Sequence, residues 1–360
     1  MSADLVVTGR GVVCAAGIGT AAMTAALADG ARPAPDVTAL YSDAMPQPTG
    51  YALVDFDVRA LLGRKGTTFL DRATGLALVA FGEALAEAGL VIDDESRTRV
   101  GIALGTTVGS LRSSADYSLE TLVADRPYLV NPALFPNTVM NCASGQAAIR
   151  YGLRGVNSTV ATGRVGFLGA LGYAANVLRR GYASAMLVGA VEEFTPHTAW
   201  THHRLRRPGQ PGEAAAVFVL EPRANAVRAG RRVLAELAAI EEGYHPGDDP
   251  AERGALLAGC LSGVLAEAGA EPGQVQFAAT TEAWNADDEL IGRAAVAALP
   301  SARPVRVRDA LGDCGAAAGA LQFAALLDAG GRGTGVLAGW SPEGAFGAAV
   351  LRGRDRAEVA

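Results

Sequence analysis

The stretch Gly152–Glu193, GLRGVNSTVATGRVGFLGALGYAANVLRRGYASAMLVGAVEE, decides the fold. Asn157 to Thr162 is short, rich in β-branched residues and bounded by Gly155 and Gly163, which predicts a strand. Arg164 to Arg180 places Phe167, Leu168, Leu171, Ala174, Ala175 and Leu178 on one stripe at helical spacing, and Gly181 closes the helix. Ala185 to Val191 is an apolar run of the kind buried on both faces of a sheet. Between the first strand and the helix, the sharp turn presents one side chain at the positive end of the helix dipole. Several acyl-transfer enzymes mount a nucleophile on such a turn. Here the position holds Arg164, which cannot be a nucleophile.

Outward from this unit, strand and helix alternate. Leu5 to Val13 reads as a buried strand and Thr20 to Ala28 as a helix, while residues 30–50, with four prolines, read as irregular surface. Asp71 to Ala88 is a helix stopped by Gly89, Val100 to Leu104 a strand, and Gly109 to Leu122 a rather polar helix. Tyr128 to Asn141 reads as a loop, Gly145 to Tyr151 as a helix, Pro196 to Gly212 as a loop, and Ala214 to Leu220 and Val233 to Gly243 as strands. The pattern then repeats. Helices are expected over Ala251–Ala268, Asp287–Ala298 and Ala316–Ala329, and strands over Val275–Thr280, Val305–Val307, Val336–Gly339 and Ala348–Leu351. The seam falls near residue 225, giving halves 1–225 and 226–360. With no Ser- or Pro-rich linker between them, they are expected to form one layered α/β unit.

Composition removes several function classes. The 360 residues are 50% hydrophobic and carry a net charge of −6. The densest basic cluster is Arg204, Arg206 and Arg207 beside His202 and His203, read as a solvated loop. Nucleic-acid binding is not expected. Lys65 is the single lysine beside 30 arginines, a mark of codon bias rather than of function. Cys14, Cys142, Cys260 and Cys314 are far apart and lack CxxC spacing, so neither a zinc site nor a disulfide framework is indicated. No signal peptide and no membrane span are expected, which suggests a cytoplasmic protein. The Gly-rich stretches lack GxGxxG and P-loop spacing, so no cofactor is expected.

Taken together, VVTGRGVV, DRATGLAL with EALAEAGL, FPNTVMNCASGQAAIRYGLRGVNST, MLVGAVEE, GEAAAVFVLEPRANAVRAG and GAAAGALQFAALL resemble, in order and spacing, the β-ketoacyl synthases. The resemblance runs from near residue 3 to the C-terminus. It implies the thiolase fold, two pseudo-duplicated halves in a layered αβαβα architecture. Active members carry a Cys nucleophile at the strand-to-helix turn, two His in the second half and a Lys. They condense an acyl thioester with a decarboxylating malonyl thioester. This chain departs at each of these positions. Arg164 stands for the Cys, Thr281 or Glu282 for the first His, Asp313 for the second His and Arg308 for the Lys. The Gly-Phe-Gly loop near the C-terminus is altered to Pro342-Glu343-Gly344-Ala345-Phe346-Gly347. All four His lie between 196 and 212 or at His245, away from these motifs in sequence. Cys142-Ala143-Ser144-Gly145 spells the family's Cys-Ala-Ser-Gly, but in a segment that is non-catalytic in active members.

A branch with such losses exists in polyketide systems made of separate subunits. There an inactive paralogue, the chain length factor, pairs with an active ketosynthase and shapes the tunnel at the dimer interface. The resemblance therefore implies no catalytic residue, no metal, an active ketosynthase as partner and an acyl carrier protein in the complex. It places Leu111, Ser114, Tyr117 and Ser118 as candidates facing that tunnel. Two other readings stay open: an acyltransferase or decarboxylase with a relocated nucleophile, and a homodimeric scaffold docking an acyl carrier protein. A buried Arg164 needs a counter-charge. Asp313, and secondarily Glu282, are the expected partners.

Overall fold

The computed structural model describes residues 4–329 and 333–353. The first half runs through β1 (Leu5–Cys14), β2 (Gly17–Ile18), α1 (Thr20–Asp29), α2 (Val58–Leu62), α3 (Arg72–Ala88), β3 (Val100–Gly105) and α4 (Leu111–Val123). It continues with α5 (Cys142–Tyr151), β4 (Asn157–Val160), α6 (Gly166–Arg179), β5 (Ala185–Glu192), α7 (Pro196–Arg204) and β6 (Ala214–Pro222). The second half comprises α8 (Arg223–Arg228), β7 (Ala235–Tyr244), α9 (Pro250–Glu267), β8 (Val275–Thr280), α10 (Ala286–Val296) and β9 (Arg303–Val305). It ends with α11 (Arg308–Leu311), α12 (Gly315–Ala329), β10 (Thr334–Trp340) and β11 (Ala345–Gly353). The expected seam at 225 lies in α8, the short helix between β6 and β7.

Three local expectations need correction. Pro196–Gly212 is not all loop: α7 occupies its first part. Thr195 caps α7 through a reciprocal pairing with Thr198, and Pro196 sits at the first helical position, where its missing N–H costs nothing. The Tyr128–Asn141 loop contains a 3₁₀ segment, Pro132–Thr138, started by the Asn131 side chain. The short strand expected at Val305–Val307 ends at Val305, since Val307 already flanks α11.

From the outer edge inward, the first half orders its strands β4-β3-β5-β6-β1 and the second β9-β8-β10-β11-β7. Leaving aside β2, which pairs only with β1, both halves read 3-2-4-5-1 when strands are counted within each half. The directions repeat as well. β3 is parallel to β4 and β5, β5 antiparallel to β6, and β6 antiparallel to β1. In the second half β8 is parallel to β9 and β10, β10 antiparallel to β11, and β11 antiparallel to β7. The halves join where β1 pairs with β7, from Leu5 opposite Leu237 to Val7 opposite Ala235.

The burial pattern gives the layers. α6 and α12 occupy equivalent places in the two halves and share the central core with strands of both, where Phe167, Phe218 and Phe323 pack with ring centroids 4.7–5.6 Å apart. α3 covers the outer face of the first half through Leu76, Phe81 and Ala84. α9 and α10 cover the second through Leu257, Leu261 and Ile291. The result is the αβαβα order that the resemblance implies.

The packing is tightest beneath the turn that opened the sequence. A Cβ on Gly105, at the end of β3, would lie 2.5 Å from the backbone carbonyl carbon of Gly166, the first residue of α6. Backbone meets backbone there, so no side chain can yield. Gly105→Ala is expected to cost about 1–3 kcal/mol, read as a lowered urea midpoint at unchanged m-value. A midpoint within error of the parent would show that the turn can move.

Candidate functional site

β4 ends at Val160, and the chain turns through a 3₁₀ segment, Gly163–Val165, into α6. Gly163 has φ 59°, in the left-handed region, and a Cβ on it would sit 2.5 Å from Ser341 Oγ. The turn therefore needs glycine for both its backbone and its space. It aims Arg164 inward, where the side chain is 7% exposed.

Arg164 is held from three sides. Its Nη1 donates to Asp288 Oδ2 at 3.0 Å, its Nη2 donates to the Glu282 carbonyl, and its guanidinium lies 3.8 Å from the ring centroid of Trp284. Asp288 is likewise buried, and it also accepts from the Trp284 N–H and Trp340 Nε1, each at 2.9 Å. Asn285 caps α10 by accepting from the Asp288 N–H, which fixes that carboxylate one turn into the helix. Arg207 stacks on the Trp284 ring at 3.6 Å, so the indole stands between two guanidinium groups. Burial pulls both arginines below their ordinary range. Around Arg164 the charges of Asp313 and Asp288 oppose this and that of Arg207 adds to it.

The expected pairing of Arg164 with Asp313 is corrected by this geometry. An ion pair does fill the site, but its carboxylate is Asp288. Asp313 Oδ2 is taken by Trp284 Nε1 at 2.7 Å, and its Oδ1 accepts from the Gly315 N–H at the start of α12. Glu282 contributes its carbonyl to Arg164. Its carboxylate accepts from the N–H groups of Val307 and Arg308, at 2.7 and 3.1 Å, and lies 3.8 Å from Arg308 Nε. Burial pushes this carboxyl up. Thr281 Oγ1 accepts from the Trp340 N–H, and Arg308 Nη1 donates to the Ala283 carbonyl. The five positions Arg164, Thr281, Glu282, Arg308 and Asp313 thus line one small pocket.

Sequence reading missed Trp284, Asp288, Trp340, Arg207 and His202. His202, on α7, comes within 3.7 Å of Asp313 Oδ2, although it is far from that motif along the chain. Burial pulls its imidazole below the usual range, against the opposing charge of Asp313. Asp288 was visible as the third residue after an Asn helix cap, a recognisable start signal.

The remaining pocket, bounded by Arg164, Phe167, Asp313 and Gln322, holds about 30 Å³, room for roughly one water. All four cysteines are buried and their thiols are pushed up. Cys142 sits at the first residue of α5, where a helix would favour a thiolate, yet burial and the charge of Asp71 push it up to about 11. Burial raises Cys14 to about 11, Cys260 to about 12 and Cys314 well above its ordinary value. The tunnel candidates lie on α4. Tyr117 meets Phe135 edge-on at 5.9 Å, Ser114 Oγ donates to the Thr138 carbonyl, Ser118 Oγ donates to the Ser114 carbonyl, and Leu111 is half-buried.

Two measurements test these electrostatics. Asp288→Asn leaves a buried guanidinium unpaired and is expected to cost about 3–5 kcal/mol. Adding Arg164→Met should return most of that loss, because the ion pair is then absent altogether. A single-variant loss under about 1 kcal/mol would show that other groups neutralise Arg164. The second concerns Glu192, at the end of β5, which accepts from the Thr107 N–H and packs against Gly315; burial pushes its carboxyl up to about 7. The folded state holds this proton where the unfolded chain releases it, so stability falls as pH rises from about 4.5 to 7 and then levels. Glu192→Gln should remove this slope, gaining roughly 3 kcal/mol on the parent between pH 5 and pH 8. Parallel pH profiles for the two proteins would refute the assignment.

Comparison with known proteins agrees with this geometry. Residues 2–218 match the family described as Beta-ketoacyl synthase, N-terminal domain. The chain is 27% identical over 254 residues to the 3-oxoacyl-[acyl-carrier-protein] synthase 2 of Synechocystis, a match covering 63% of this chain and 60% of that protein's length. Among solved structures, the ishigamide ketosynthase/chain length factor is 30% identical, with a TM-score of 0.80, covering 98% of this chain and all of that one. A complex of a type II polyketide synthase acyl-carrier protein with its ketosynthase, bound to the hexaketide, gives a TM-score of 0.81 at 20% identity over 98% of this chain and all of that one, a likeness of fold. Its family match, its fold and its convergent motif positions agree: the chain belongs to the β-ketoacyl synthase family.

Proposed function

We propose that this chain is a non-catalytic, chain length factor-like subunit that pairs with an active β-ketoacyl synthase and shapes the tunnel in which a polyketide chain grows. The observation that carries this reading is the plug. The turn that mounts a nucleophile in active relatives holds Arg164 instead, locked by Asp288 and stacked on Trp284, over a pocket of about 30 Å³. An acyl group has neither a nucleophile to bond to nor a volume to enter. The likeness to the ishigamide ketosynthase/chain length factor favours the same reading. The likeness to a ketosynthase complexed with its acyl-carrier protein makes such a carrier the expected third component.

A large uncovered surface fits a partner subunit. Leu119, Leu122 and Val123 of α4 are 58–81% exposed, and Tyr128, Leu129, Phe135 and Met140 beside them are about half exposed or more. Apolar groups clustered in this way mark interaction sites. Nearby, β4 pairs only with β3 among the described residues, so its other edge is free to bond with another chain.

Co-expression with a ketosynthase that keeps its Cys, followed by sizing, is expected to give a stable heterodimer. The purified chain alone should neither condense nor decarboxylate malonyl thioesters. Turnover by the chain alone would favour a relocated nucleophile, and a homodimer indifferent to the ketosynthase would favour a scaffold. Within the reconstituted pair, Tyr117→Ala is expected to shift the product length. Unchanged products would remove Tyr117 from the tunnel.

A further inference from the structure

Glu193, the residue after β5, is 3% exposed. Its Oε2 accepts from the Ala73 N–H, in the first turn of α3, at 3.3 Å. Its Oε1 accepts from Ser110 Oγ at 3.0 Å and from the Arg112 N–H at 3.2 Å, at the start of α4. One carboxyl group thus receives the first turns of two helices, whose N–H groups lack partners within the helix. α3 is also fixed by a buried apolar face. α4 has no such face, because none of its residues is buried.

The same holds for the whole run from residue 111 to residue 136, the longest without a buried side chain among the described residues. Buried residues stand at both of its ends. Ser110 is bonded to Glu193, and Asn137 Nδ2 donates to the Phe69 carbonyl at 2.6 Å. Before Ser110, Gly109 has φ 71°, a left-handed conformation open to glycine. Within the run, Tyr117 meets Phe135 edge-on and the Glu120 carboxyl accepts from the Asn131 N–H at 3.4 Å, so its two arms hold each other. Arg112 adds a tie to the body through Asp43, at 2.7 Å, but both side chains are partly exposed, where such a pair contributes little. A helix of 13 residues with no buried face is marginal by itself. Segments with so few buried contacts open well below the free energy of global unfolding.

We infer that residues 111–136 form a flap, hinged at Gly109 and Asn137, that opens as a unit while the rest of the chain stays folded, and that the Glu193 carboxyl is its latch. Opening breaks the bonds from Ser110 and Arg112 and brings water to a carboxyl that is otherwise buried. It also carries Leu119, Leu122 and Val123 with it, so the apolar face of α4 holds its place only while the latch is made. The inference does not rest on the function proposed above.

Native-state hydrogen exchange of the full chain, followed at low urea concentrations, tests this. Amides of α4 are expected to exchange about 100-fold or more faster than those of α3 and α6, yet slower than an unstructured peptide, and with little dependence on urea. Glu193→Ala should speed this urea-independent exchange of α4 by about tenfold or more. Where that variant does not fold, Ser110→Ala, at the other end of the same bond, serves. Glu193→Gln, which keeps an acceptor oxygen, should retain most of the protection. Amides of α4 that exchange only with global unfolding, in step with α3 and α6, overturn the flap. Exchange of α4 at the rate of an unstructured peptide, or a rate that neither Glu193→Ala nor Ser110→Ala changes, overturns the latch.

Discussion

A guanidinium buried at the start of a helix must be neutralised by something rigid, and the region around Arg164 is built to meet that demand. The macrodipole of α6 opposes a cation at its N-terminus, and burial removes the water that would otherwise screen it. Neutralisation comes from a carboxylate set one turn into α10, fixed by the Asn285 cap and by two indole or backbone N–H donors. The charge is shared further with the Glu282 carbonyl and the Trp284 face. Removing any one of these leaves the others holding an uncompensated group.

The strand-to-helix turn is built tightly, with its glycine in the left-handed region and the first residue of α6 against Gly105. Buried ion pairs contribute little net stability compared with well-packed apolar groups, but they are geometrically demanding. Arg164 and Asp288 therefore act less as glue than as a fixed obstruction. Burial has the same weight at Cys142, which stands at a helix start: desolvation raises its thiol.

The alternating elements of both halves were legible because apolar period and glycine stops report local structure directly. Arg164, Thr281, Glu282, Arg308 and Asp313 were legible as a group because motif spacing fixes position along the chain. The partner of Arg164 was not, because spacing says nothing of which carboxylate faces a given side chain. Asp313 was the expected neighbour, but an indole N–H claimed it first. Trp284 offered no periodic signal, since its role comes from two arginines 77 and 120 residues away in sequence. α7 escaped because its polar composition hid a start signal at Thr195-Pro196. His202 escaped with it.

The repeated 3-2-4-5-1 strand order has a consequence for the charges. α6 and α12 are counterparts, and Arg164 stands two residues before the start of α6, as Asp313 stands two residues before the start of α12. The internal pseudo-dyad therefore carries a cation onto an anion. The carboxylate that neutralises Arg164, Asp288, also belongs to the second half, so a second copy of the first half could not supply it.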